Sequence, residues 1–169
     1  MAPGGENQRY HFHGRGVFVT ANLEALEQAY RRNGSLYARA MDANEPDLLD
    51  GVMTADAVIE SPGAVMDGIA AIRACPGMLR EMFQSTQHLV HNQTVEQLSD
   101  TEARGETYCT ASHILPPSGE GQPYSALVWA IRYQDQLRLV DGVWKIAKRA
   151  LVLDWTETRP VDFSGRQGA

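Results

Sequence analysis

His88, Asp42, Arg149 and Tyr37 are the side chains whose types and settings could carry chemistry, His88 also suiting an ordinary core or surface position. An imidazole changes charge near neutral pH and is the commonest general base. His88 lies in an apolar-flanked stretch, Gln87-His88-Leu89-Val90-His91-Asn92, with the alternation of a strand. His88 and His91 have opposite parity, so they face opposite sides of a sheet. Asp42 falls at the end of the first helical segment, where an acid opposes the helix dipole by about 0.3–1 kcal/mol. It is either a solvated surface carboxylate or one with a partner elsewhere in the fold. Tyr37 sits on the apolar stripe of the same segment, and as a core aromatic its hydroxyl needs a partner. Arg149 follows Trp144-Lys145-Ile146-Ala147-Lys148. A two-residue turn at Asp141-Gly142 would pair Arg149 with Gln134 and Lys148 with Asp135. Arg149 would then share a face with Arg132, Leu151 and Leu153. A cation among apolar neighbours is costly unless it is paired or touches a ligand.

Other residues add less. His113 alternates with Cys109 and Ala111 and so could line the same cavity, with Cys109 as a small core residue. His11-Phe12-His13 has a spacing compatible with a metal but sits in a Gly-rich stretch. The sequence contains no GxGxxG, P-loop, HExxH or GxSxG pattern, so neither a nucleotide cofactor nor a zinc site is indicated.

The elements that must hold these groups follow from periodicity. Leu23, Leu26, Tyr30, Tyr37 and Met41 fall within about 60° on a helical wheel. Thr20 or Asn22 can cap that helix. Gly34 lies on the same stripe and either weakens the helix or admits a close neighbour. Pro46 and Asp47 suit the first turn of a short second helix carrying Leu48, Leu49, Val52 and Met53. Residues 57–60 read as a short strand and 68–83 as helix, with Pro76 splitting it or starting a second turn. From 86 the period changes to two. Residues 86–98, 103–115, 124–140 and 143–155 read as strands, the last two joined by Asp141-Gly142, a strong hairpin signal. Helices first and long antiparallel strands after make an α+β fold with helices on one face of a curved sheet. Residues 1–19 read as a loose arm, 20–158 as one domain and 159–169 as a tail.

Composition sets the frame. A chain of 169 residues favours one domain and buries about 70% of its extended surface, enough for a core without staples. Lys plus Arg is 15 and Asp plus Glu is 21, giving a net charge of −6, and no Lys/Arg cluster marks a nucleic-acid surface. No apolar run reaches the roughly 18 residues of a membrane span. No signal-peptide pattern opens the sequence. Two cysteines, Cys75 and Cys109, make no disulfide framework, so a reducing cytoplasm is expected.

The segment from Tyr37 through Asp42 to Leu49, with Thr54-Ala55-Asp56-Ala57-Val58, resembles the opening of SnoaL-like proteins of the nuclear-transport-factor-2-like superfamily. Met82-Phe83-Gln84-Ser85-Thr86-Gln87-His88 and the ending from Asp141 to Arg149 extend the resemblance over roughly residues 20 to 157. The Asp-then-His spacing is similar to the branch holding scytalone dehydratase, bile-acid 7α-dehydratase and hexachlorocyclohexane dehydrochlorinase. The resemblance implies a cone-shaped, mostly antiparallel sheet wrapped around N-terminal helices, a deep apolar pocket and a homo-oligomer, trimer or dimer. It implies a His–Asp dyad, His88 and Asp42, acting in elimination without a cofactor. By position, Arg149 matches the pocket arginine of the dehydrochlorinase, Tyr37 the tyrosine of the bile-acid enzyme and His113 a second pocket histidine of scytalone dehydratase. Arg132, Trp129 and Phe83 complete the expected substrate-binding set.

The expected activity is a dehydratase-like lyase on a hydrophobic, ring-containing small molecule, with no metal and no cofactor. A polyketide-type cyclase or isomerase, and a non-catalytic ligand-binding module, are the alternatives on the same scaffold.

Overall fold

The computed structural model describes residues 21–165. The expected arm with its His11 and His13, the capping Thr20 and the last residues of the tail lie outside them. Helix α1 (Ala21–Ala43) leads into a 3-10 turn (Pro46–Leu48) and a short α2 (Leu49–Val52). Strands β1 (Met53–Ser61) and β2 (Ala64–Asp67) precede α3 (Ile69–Met82). The long strands β3 (Ser85–Gln97), β4 (Glu102–Leu115), β5 (Tyr124–Val140) and β6 (Val143–Val161) follow.

One six-stranded sheet has the order β2-β1-β6-β5-β4-β3. Its pairs are antiparallel except β1 with β6. The α+β arrangement is the one expected from the order of periods. The apolar stripe of α1 is buried, with Leu26, Tyr30, Tyr37 and Met41 in one core cluster alongside Ile59, Ile72, Ile131, Leu137 and Ile146. Gly34 serves the close approach foreseen for it. A Cβ there would stand 2.7 Å from the Gln93 amide nitrogen and 3.3 Å from Val90 on β3. A side chain there would have to displace the end of the Gln93 side chain and crowd Val90.

Four register shifts bend the sheet, between Met53 and Val58 on β1, between Val90 and Gln93 on β3, and at two places along β5–β6. An extra residue on one strand adds twist and bends it around the helices. The Asp141-Gly142 turn is the tight hairpin expected, with both residues at positive φ (51° and 77°). The register that follows from it does not extend to Arg149. A shift between Gln136 and Leu137 places Arg149 opposite Asp135 and Lys148 opposite Gln136. The expected Arg149–Gln134 and Lys148–Asp135 pairs are therefore wrong by one residue. Arg149 shares its face with Tyr133 and Leu151 rather than with Arg132.

Three further elements differ from expectation. Helix α3 runs unbroken through Pro76, which is buried with Ile72 and Cys75. The proline forgoes one backbone hydrogen bond, and its apolar ring offsets part of that loss by joining the core. The hairpin partner of β1, strand β2, has too few residues for a period to register. Strand β6 continues to Val161, paired with β5 as far as Tyr124, past the expected strand end at residue 155. Among the described residues no helix is long and apolar enough to cross a membrane. Cys75 and Cys109 are buried free thiols.

Candidate active site

Helix α1 crosses β3 so that its last turn meets the beginning of the strand. The meeting point is Asp42. One carboxylate oxygen, Oδ2, accepts the His88 backbone N–H at 2.8 Å. The other, Oδ1, lies 2.7 Å from the His88 ring Nδ1 and accepts the Thr86 hydroxyl at 2.9 Å. Thr86 precedes His88 by two residues and so shares its face of β3. Burial pushes the Asp42 carboxyl up, but the hydrogen bonds from His88 and Thr86 outweigh it and hold the group below the usual carboxylate range. An ionised carboxylate accepts hydrogen bonds and donates none, so Nδ1 carries the ring hydrogen and Nε2 is bare in the neutral imidazole. An acid at a helix C-terminus, unfavourable by dipole alone, thus has its partner in the neighbouring strand.

The His88 ring borders a cavity of about 350 Å³. The walls are mostly apolar: Met41 from α1, Ile59 from β1, Leu79 from α3, Trp129 and Ile131 from β5 and Leu151 from β6. His88, His113, Tyr37, Tyr133, Cys75 and Ser61 bring the polar atoms. Met78 and Met82, both exposed, stand where the cavity opens past α3.

His113 is packed between Phe83 (ring centroids 4.7 Å apart) and Trp129 (5.5 Å), with its centroid 6.0 Å from that of His88. Its Nδ1 is 3.2 Å from the Leu127 carbonyl oxygen and donates to it. Burial, reinforced by the neighbouring His88, holds its pKa below the ordinary histidine value. His113 is therefore neutral near pH 7, with a second bare ring nitrogen.

Arg149 is 1% exposed and does not border the cavity. Its guanidinium is held by Asp135 through two parallel bonds, Nε to Oδ1 and Nη2 to Oδ2, both 2.8 Å. Its carbon stands 4.3 Å from the ring centre of Tyr37 and 4.0 Å from that of Tyr133. The Tyr30 hydroxyl donates to Asp135 Oδ2 at 2.8 Å, and the Thr107 hydroxyl donates to Tyr30 at 2.9 Å. The cation thus lies behind two tyrosines that do line the cavity. Burial raises the Tyr37 hydroxyl to about 12, against the pull of Arg149, so it stays a donor at neutral pH.

Asp42, His88, Tyr37, His113, Trp129 and Phe83 come together at or beside one cavity, whereas Arg132 does not. Arg132 points to the outer face of the sheet, where Asp154 (2.6 Å) and Glu106 (3.6 Å) hold it. Its parity is that of Ala130, opposite to Trp129, Ile131 and Tyr133. The residue reading missed Thr86, Tyr133 and Asp135. Parity with His88 and with Ile131 points to the first two. Asp135 was hidden by the bulge.

A comparison with solved structures places the same fold around other proteins. A hexachlorocyclohexane dehydrochlorinase, LinA Type2, superposes with a TM-score of 0.74 at 20% identity, over 86% of this chain and 97% of that one. A scytalone dehydratase-like protein from Novosphingobium aromaticivorans DSM 12444 gives 0.69 at 24% identity, over 89% and 100%. The LinA-type3 dehydrochlorinase from Novosphingobium barchaimii LL02 gives 0.72 at 19%, over 84% and 96%. The comparison with curated proteins finds no match. The SnoaL-like domain profile matches residues 23–150, from the first buried turn of α1 to the strand that carries Arg149, and the chain belongs to that family, with the nuclear-transport-factor-2-like fold.

Proposed function

We propose that this protein is a cofactor-independent lyase of dehydratase type, acting on a hydrophobic, ring-containing small molecule. The observation that carries the proposal is the 2.7 Å contact between Asp42 and the His88 ring at the wall of an apolar cavity. In the proposed reaction His88 Nε2 takes a proton from a carbon next to an electron-withdrawing group. Asp42 fixes the tautomer and stabilises the imidazolium that forms. The electron pair of the broken C–H bond becomes a double bond as the C–O bond breaks. The proton on Nε2 passes to the departing hydroxide and leaves as water, which restores the neutral ring. The Tyr37 hydroxyl donates to the departing oxygen, and Arg149 supports that tyrosine from behind its ring. A donor aimed at developing charge in a dry site contributes about 3–4 kcal/mol to the transition state. Two of the similar folds belong to proteins named for eliminations, which agrees with this reading.

The test is a screen of ring-bearing hydroxy-ketones for loss of water by the wild-type protein and His88→Ala. Water loss that falls at least about 100-fold in the variant, with ligand binding retained, is the expected result. Full turnover by the variant refutes the dyad.

The working form in this proposal is a homo-oligomer, trimer or dimer. Tyr108 and Trp155 are 42% and 56% exposed on the outer face of the sheet, across from the cavity, where a second copy can cover them.

A further inference from the structure

A second space lies beside the cavity, of about 260 Å³ and of different character. Asp42, Asn44, Arg80, Gln84, Ser85 and Thr86 give it a polar lining. Met41, Leu79 and Phe83 border both spaces. The Phe83 ring is also the one that stacks on His113. A molecule seated against His88 therefore has a polar compartment within reach across Phe83.

The charges in that compartment are unequal in what they still need. Asp42 keeps its negative charge, but three of its acceptor positions are taken by the His88 N–H, the His88 ring and the Thr86 hydroxyl. Arg80 is exposed, and no carboxylate reaches it among the described residues. Arg73, two turns earlier on the same helix, shows the contrast. Its guanidinium is gripped by Asp47 and Asp50 at 2.5 Å each. The polar compartment thus offers one uncommitted guanidinium, together with the side chains of Asn44, Gln84 and Ser85. A guanidinium with open donors prefers a carboxylate, sulfonate or phosphate.

We infer that this compartment is a subsite for an anionic group carried by the substrate, with Arg80 as the residue that selects for it. The substrate class becomes an amphipathic anion: an apolar ring system in the large cavity and an acidic appendage at Arg80. The inference rests on the large cavity being the substrate chamber.

The experiment uses two fluorescent probes that share their rings. Anilinonaphthalene sulfonate carries an anion and phenylnaphthylamine does not. Binding of each is titrated by fluorescence to the full chain and to Arg80→Gln and Arg80→Lys, while the His88 ring resonances are followed by NMR. Arg80 is exposed and without a partner among the described residues, so neither substitution threatens the fold. Both probes are expected to shift His88. The sulfonate should bind the wild-type protein more tightly than the neutral probe. Arg80→Gln should weaken the sulfonate about tenfold and leave the neutral probe unchanged, with Arg80→Lys in between. Equal affinity of the two probes for the wild-type protein, or a sulfonate affinity unmoved by Arg80→Gln, overturns the subsite while the neutral probe still reports the chamber. If neither probe shifts His88, the chamber reading fails and the subsite fails with it.

Discussion

Asp42 grips His88 at two points: its Oδ2 takes the backbone N–H at 2.8 Å and its Oδ1 the ring at 2.7 Å. One carboxylate on α1 thus sets both the position of the strand and the tautomer of the ring it carries. An asparagine cannot accept at both points, because one of its two terminal atoms is a donor. Asp42→Asn is expected to lower turnover by about 10²–10⁴ while a ring probe still binds. It should also cost about 1–3 kcal/mol of stability from the unsatisfied buried donor. Steady-state kinetics and urea unfolding of the same variant check both.

The Arg149–Asp135 pair is buried on both sides, at 1% and 3% exposure. Removing one partner strands the other charge in the core. Asp135→Ala is expected to lose about 3–5 kcal/mol, whereas the double replacement Asp135→Leu with Arg149→Met recovers most of it. Unfolding midpoints of the single and double variants measure the difference. Recovery of stability without recovery of turnover is the expected sign that Arg149 acts on Tyr37 beyond holding the fold.

Among the groups at the site, His113 and Asp42 make folding depend on pH, in the same direction. His113 has a lowered pKa in the folded protein because burial opposes its charge. The unfolded chain therefore binds that proton first, and stability falls as pH drops from the ordinary histidine value of 6.5 through the lower folded value. Asp42 is likewise lowered, so its contribution is complete above the ordinary aspartate value of 3.8 and is lost as pH falls through the folded one. Urea midpoints measured against pH should decline in two windows. His113→Gln should remove the upper one, and Asp42→Asn should shrink the lower one, to which the ion-paired Asp154 also contributes.

The outer face of the sheet carries the assembly prediction. Trp155 lies beside Ala130 on β5, next to the Arg132–Asp154 pair. Trp155→Glu is expected to shift the mass by light scattering from an oligomer to a monomer, with the cavity untouched. A wild-type protein that is already monomeric at micromolar concentration contradicts the assembly.

The sequence showed the α+β class, the helix that ends at Asp42 and the strand around His88. These rest on long, regular periods and on a turn whose chemistry is local. Arg149 was harder to place, because one extra residue on β6 moves every pairing beyond it. A bulge leaves no mark in an alternation of hydrophobic residues. Arg132 was misplaced by the same slip of register. Strand β2 was invisible because four residues carry no period, and Pro76 argued for a break in a helix that the core nevertheless holds together. Local pattern therefore placed Asp42 and His88 on their elements and the resemblance paired them, whereas the depth of Arg149 depends on a long-range register.

The central claim is that His88 takes a proton from carbon, and isotope loss from the substrate tests it most directly. A ring-bearing hydroxy-ketone with deuterium on the carbon next to its carbonyl is incubated with the wild-type protein and with His88→Ala, and mass spectrometry follows the label. The account predicts that the wild-type protein releases the deuterium to solvent or to the departing water as the double bond forms, and that the variant leaves it in place. Elimination by the wild-type protein with the deuterium retained, or equal loss of label with His88→Ala, contradicts it.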